Sequence, residues 1–152
     1  MDSTSIIRAI SGVFFLGFFA LFIVIAIFYI LTLSRALEKC HPASRTIQPG
    51  TLWLLLIPLV NLIWHFFVVL GMAKSLGNEF RARGIINVDP QPGQSFGLAM
   101  CICGACAIIP ILGFLAALGH LVLWILYWSK MATYSRMLDQ APVVQGAPIL
   151  PV

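Results

Sequence analysis

Two histidines lie inside stretches that contain no Asp, Glu, Lys or Arg, Leu52–Gly71 and Phe96–Trp128. His65 falls 13 residues beyond Leu52 and His120 nine beyond Ile111, so each sits near the middle of its apolar segment. Two imidazoles on separate helices are the ligand set of a bis-histidine haem b. Trp64, Phe66, Phe67 and Trp124 could pack a porphyrin, although of Gly71 and Gly119 only Gly119 adjoins its histidine. Proton or substrate handling is a second use, since ionisable residues at membrane depth are functional candidates. The structural alternative, which we prefer, has each neutral imidazole bonding a carbonyl freed by Pro58 or Pro110, or a neighbouring helix. No cofactor is then expected, with haem b as the alternative.

Cys101, Cys103 and Cys106 raise the question of a soft-metal site for copper(I) or zinc. On a helix, positions 101 and 103 point about 200° apart, so three thiols would not converge on one ion. The neighbours Gly97, Ala99, Gly104, Ala105 and Ala107 make cysteine one more small residue of a packing face, and no metal is expected. For catalysis nothing usable is present: no Ser–His–Asp set, no HExxH and no glycine-rich phosphate loop. Glu38, Glu79 and Asp89 lie among bases outside the apolar stretches and read as solvated ion pairs.

The elements that hold these residues follow from hydropathy. The chain has 152 residues, of which 61% are hydrophobic and 9% charged, with a mean hydropathy of +1.00. A soluble domain carries roughly 25% charge, so an all-α, polytopic membrane helix bundle of one domain, residues 1–139, is expected. Four hydrophobic segments are predicted at 9–31, 52–72, 95–109 and 111–130, followed by a Pro-containing tail at 140–152. Ala9–Leu31 spans about 34 Å as a helix, too long for a signal-peptide core of about 7–15 residues, and is read as a retained span. Trp124, Tyr127 and Trp128 before Lys130 form an aromatic-then-basic exit belt. The nine bases flank apolar segments rather than forming a stripe, which argues for lipid headgroups as partners and against nucleic acid.

Pro58 and Asn61 interrupt the second segment, Pro110 and Gly113 the third block. In segment two, Pro58 either kinks one crossing helix, with Asn61 satisfying part of the break, or marks the tip of a re-entrant pair. With a crossing, the bases divide six (Arg8, Lys74, Arg81, Arg83, Lys130, Arg136) to three (Arg35, Lys39, Arg45). With a re-entrant segment they divide eight to one, the better fit to the positive-inside bias. Length favours the crossing, and both readings stay open. Ile57-Pro58-Leu59-Val60-Asn61-Leu62 and Ile109-Pro110-Ile111-Leu112-Gly113-Phe114 share a pattern, each followed by a histidine and then Met-Ala, the mark of two duplicated hairpins about a pseudo-two-fold axis.

Pro49-Gly50-x-x-Trp53-x-x-x-Ile57-Pro58-x-x-Asn61-Leu62 resembles the signature of a family of small bacterial polytopic membrane proteins, a domain of unknown function. The similarity covers residues 35–83; the second half does not follow the pattern, and the dense arginines that flank it in the family are missing. The resemblance implies a bacterial inner-membrane protein and supplies no catalytic residues. The expected role is non-enzymatic: an accessory subunit of a membrane complex or a self-associating scaffold, with the basic loops and tail cytoplasmic. A small oligomeric channel or transporter is an alternative, and haem electron transfer another.

Overall fold

A computed structural model describes residues 2–86, 88–110 and 112–141. It is all-helical, as expected, with no strand among the described residues. The described residues form four α-helices: α1 (Ser3–Glu38), α2 (Pro58–Ala82), α3 (Gln94–Cys106) and α4 (Gly113–Gln140). Between α1 and α2 lie a short 3-10 turn, Pro42–Ser44, and a 3-10 helix, Pro49–Leu56. Helices α1, α2 and α4 are long and apolar enough to cross a membrane, whereas α3 is short.

The stretch 52–72 is divided rather than continuous. Ile57 is extended (φ −88°, ψ 110°) and Pro58 opens α2. A residue before proline is pushed out of the helical region, and proline suits the first helical turn because its missing N–H would have been an orphan. The chain reverses there: Trp64 Nε1 donates to the carbonyl of Thr51 at 2.9 Å, and the Thr46 hydroxyl to that of Gly71 at 2.9 Å. The 3-10 helix therefore runs antiparallel to α2, as a hairpin with its tip at Ile57-Pro58. The carbonyl of Leu54 accepts from Ile57 N at 3.1 Å and that of Ile57 from Asn61 N at 2.8 Å, so backbone groups close this break.

A second hairpin follows. Gly93 (φ +77°) starts α3, packed so that an added Cβ would lie 2.5 Å from Met131 Cε on α4. At the other end, a Cβ on Gly113 would lie 2.7 Å from the Ala107 carbonyl oxygen, so only glycine fits the reversal. Pro110 lies in the exposed turn; Ile111 and the tail residues 142–152 fall outside the described residues. Contacts pair α1 with α2 in parallel (Tyr29 with His65, His41 with Glu79) and α1 with α4 in parallel (Thr32 with Trp128, Lys39 with Asp139). Three long helices thus run one way, and the 3-10 helix and α3 run back between them.

The core gathers towards the charged end, where Leu33, Leu37, Leu52, Met72, Leu76, Met100, Tyr127 and Met131 are fully buried. Glu79 is among them at 2% exposed, which corrects its reading as a solvated ion. Its carboxylate accepts from His41 N and Arg83 Nε, both at 2.8 Å. The same guanidinium donates to the carbonyls of Lys39 (2.7 Å), Leu138 (2.8 Å) and Ala141 (3.2 Å). Arg83 therefore caps the C-terminal ends of α1 and α4 from the end of α2, satisfying carbonyls that a helix leaves orphaned.

Candidate functional site

Beneath this clamp, towards the two hairpin tips, the five helical segments line a half-open chamber of about 460 Å³. Its walls are mostly apolar, from Phe22 and Ile25 on α1 to Leu62 on α2 and Leu121 on α4. The polar groups on it are Tyr29, Asn61, His65 and His120, with Cys101 beside them. That volume and balance are those of a small-molecule site: an apolar cleft with a few placed polar atoms.

Each polar group reaches the chamber by a definite route. Tyr29 faces inward from α1 and is 4% exposed. Its ring packs against Trp124 (centroids 5.3 Å apart) and Trp128 (5.9 Å), and its hydroxyl meets His65 Nε2 at 2.9 Å. Trp128 is fixed in turn by donating Nε1–H to Thr32 Oγ1 at 2.9 Å. The histidine of α2 is thus held by a phenol on α1, not by a carbonyl that proline releases.

His120 Nδ1 lies 2.8 Å from the Met100 carbonyl oxygen. A carbonyl can only accept, so Nδ1 carries the proton, and in the neutral ring Nε2 is a bare acceptor. The close approach depends on Gly104, where an added Cβ would sit 2.9 Å from His120 Nδ1. Met100 lies in α3 away from Pro110, so His120, like His65, bonds a neighbouring helix, one of the two kinds of partner expected. Asn61, one turn into α2, lines the chamber, and its Oδ1 is buried without a hydrogen-bond partner among the described residues.

The structure therefore brings His65, His120 and Asn61 to one chamber and leaves Pro58 at its edge, while Pro110 and Gly113 only form the turn. The three cysteines separate: Cys101 is buried on the chamber wall, Cys103 packs against Gly119, and Cys106 is half-buried. Among the described residues no three His, Cys, Asp or Glu side chains are grouped to hold a metal ion. For His65 to ligate a haem iron through Nε2, Tyr29 would have to release it. Sequence reasoning missed Tyr29 and Gly104. Tyr29 did carry a signal, as the one phenol in a first segment rich in Phe, Ile and Leu; a glycine that admits a ring from another helix carries none.

Compared with protein-family models, curated proteins and solved structures, the chain matches none, so the resemblance to the small bacterial membrane family rests on the motif at residues 49–62 alone.

Proposed function

We propose that this chain is a non-enzymatic, multi-pass membrane protein that binds a hydroxyl-bearing apolar molecule in the chamber between its hairpins. The observation that carries the reading is Asn61 Oδ1, buried without a hydrogen-bond partner among the described residues, on the same apolar cavity as the His120 ring. In hydrocarbon an unpaired polar group costs several kcal/mol. A ligand that donates one or two hydrogen bonds and fills the rest of the chamber with carbon removes that cost. Binding rather than turnover is the role this reading assigns to the site. Eight of the nine bases fall at the C-terminal end of the long helices, which supports placing that end in the cytoplasm of a bacterial inner-membrane protein.

The test is photo-crosslinking with a long-chain fatty alcohol carrying a diazirine. Labelled peptides are expected from the chamber walls in the native chain, and labelling is expected to fall in Asn61→Leu and with the methyl ether of the same probe, which cannot donate. Equal labelling by alcohol and ether, confined to outward-facing residues, would refute the reading.

A second reading, as an accessory or self-associating subunit, is favoured by one observation: every described residue of α1 up to Phe22 is exposed. Affinity purification in gentle detergent from the native host checks it. A stoichiometric membrane partner or a homo-oligomer is expected, and a lone monomer would end it.

A further inference from the structure

We infer that the protein is a membrane wedge, which fills one leaflet with five helical segments and the other with a single helix, and so bends the bilayer. The descending limbs of the two hairpins are the 8-residue 3-10 helix and the 13-residue α3. At about 2.0 Å per residue the first reaches about 16 Å, and at about 1.5 Å the second reaches about 20 Å. A hydrocarbon core is about 30 Å thick, so neither limb crosses it.

Helix α1 gives the depth independently. Its uncharged run between Arg8 and Arg35 is residues 9–34, about 39 Å long, and crosses the bilayer with tilt. Phe22 and Ile25 on α1 share the chamber with Pro58 and Leu62 at one hairpin tip and with Ala107 and Ala117 at the other. Phe22 lies midway along the uncharged run, with about 20 Å of helix on either side. Both tips therefore stop near the bilayer midplane. Beyond them α1 stands alone, and an added Cβ on Gly12 or Gly17 meets nothing within 4 Å.

The surfaces agree with that depth. Leu59 and Phe114, at the tips, are 89% and 76% exposed, and an apolar side chain so placed belongs in hydrocarbon. At the opposite end of the hairpins the exposed groups change to Lys74, Arg81 and Arg136, which fit anionic headgroups. A helix is about 10–12 Å across, so four additional segments widen one leaflet by a few hundred Å² per molecule without a match in the other. Such an inclusion relaxes where the wide leaflet is the convex one.

The test has two measurements on the full chain. First, single cysteines are placed in a background lacking the four native ones and probed with a membrane-impermeant maleimide. Ala43→Cys is expected to label from one side, Ser5→Cys from the other, and Leu59→Cys and Phe114→Cys from neither. Labelling of both tips from the Ser5 side would show complete crossings and overturn the wedge. Second, the chain is reconstituted into phosphatidylcholine–phosphatidylglycerol vesicles, selected by the Ala43→Cys label for the basic end facing outward. Vesicle diameter by electron cryo-microscopy is expected to fall, with tubules forming, as the protein-to-lipid ratio rises. A diameter that does not change at any ratio would overturn the inference even with midplane tips.

Discussion

Removing the Arg83 guanidinium should loosen the ends of three helices at once. Arg83 and Glu79 side chains are 7% and 3% exposed, so water does not replace what is lost. Arg83→Ala deletes the bond to Glu79 and three bonds to the carbonyls of Lys39, Leu138 and Ala141. Hydrogen bonds from a charged donor are worth about 1.5–3 kcal/mol each, but bonds from one group do not add. Breaking a buried pair typically costs about 3–5 kcal/mol, because the remaining charge has no partner. Glu79 keeps only His41 N, so a loss of about 4 kcal/mol is expected. The two donors use different oxygens of Glu79, so Glu79→Gln turns an NH2 donor towards one of them and leaves Arg83 without a countercharge; a loss of about 3–5 kcal/mol is expected there too. Reversible unfolding by SDS in mixed micelles, followed by tryptophan fluorescence and circular dichroism, gives both values. If Arg83→Ala costs less than about 1 kcal/mol, the size of an exposed pair, the clamp does not hold the helix ends together.

Gly104→Ala should displace the His120 ring, since the new Cβ would lie 2.9 Å from Nδ1; a loss of about 1–3 kcal/mol and of fatty-alcohol labelling is expected in the same two assays. Cys40, just beyond α1, has its thiol pushed up to about 12 by burial and then by Glu79, against the pull of Arg45 and Arg83. It should resist maleimide at neutral pH until SDS unfolds the chain, as read by peptide mapping. Because its folded value lies above the ordinary 9.0, its contribution to stability is complete below pH 9.0 and is lost as pH rises towards about 12; Cys40→Ala should flatten that fall in a pH series of unfolding curves. Haemin added to the purified protein is expected to give no Soret band that depends on His65 and His120, because Tyr29 holds His65 Nε2. A band abolished by either His→Ala substitution would establish the haem reading instead.

Composition alone carried the fold class, because uncharged runs longer than 20 residues have few stable forms other than helices in lipid. The division of segment two was written in Ile57-Pro58, where a proline both ends one helix and starts the next. What local sequence could not weigh was the direction of the chain afterwards, since a kink and a reversal use the same residues. Charge distribution did point to the reversal. The site was legible in part: His65, His120 and Asn61 stand out as polar residues in apolar runs. Their partners were not, because Tyr29 meets His65 across 36 residues and Met100 meets His120 across 20. Glu79 was misread for a related reason. Its neighbours in sequence are basic and polar, but its burial comes from His41 and Arg83 closing over it.

The chamber and the wedge have one physical origin in the short descending limbs. A helix that starts inside hydrocarbon exposes its first amide groups where no water can satisfy them, and such backbone is tolerated only beside a cavity or protein. At the first tip Pro58 removes one of those amides and Asn61 N is returned to the Ile57 carbonyl; at the second, Ala116 N bonds Leu112. Limbs long enough to cross would place both starts at a headgroup layer, and Asn61 would not be required at midplane. The tip positions therefore bear on both proposals unequally: tips that label from the far side remove the wedge outright, yet leave Asn61 Oδ1 on the chamber in need of a donor.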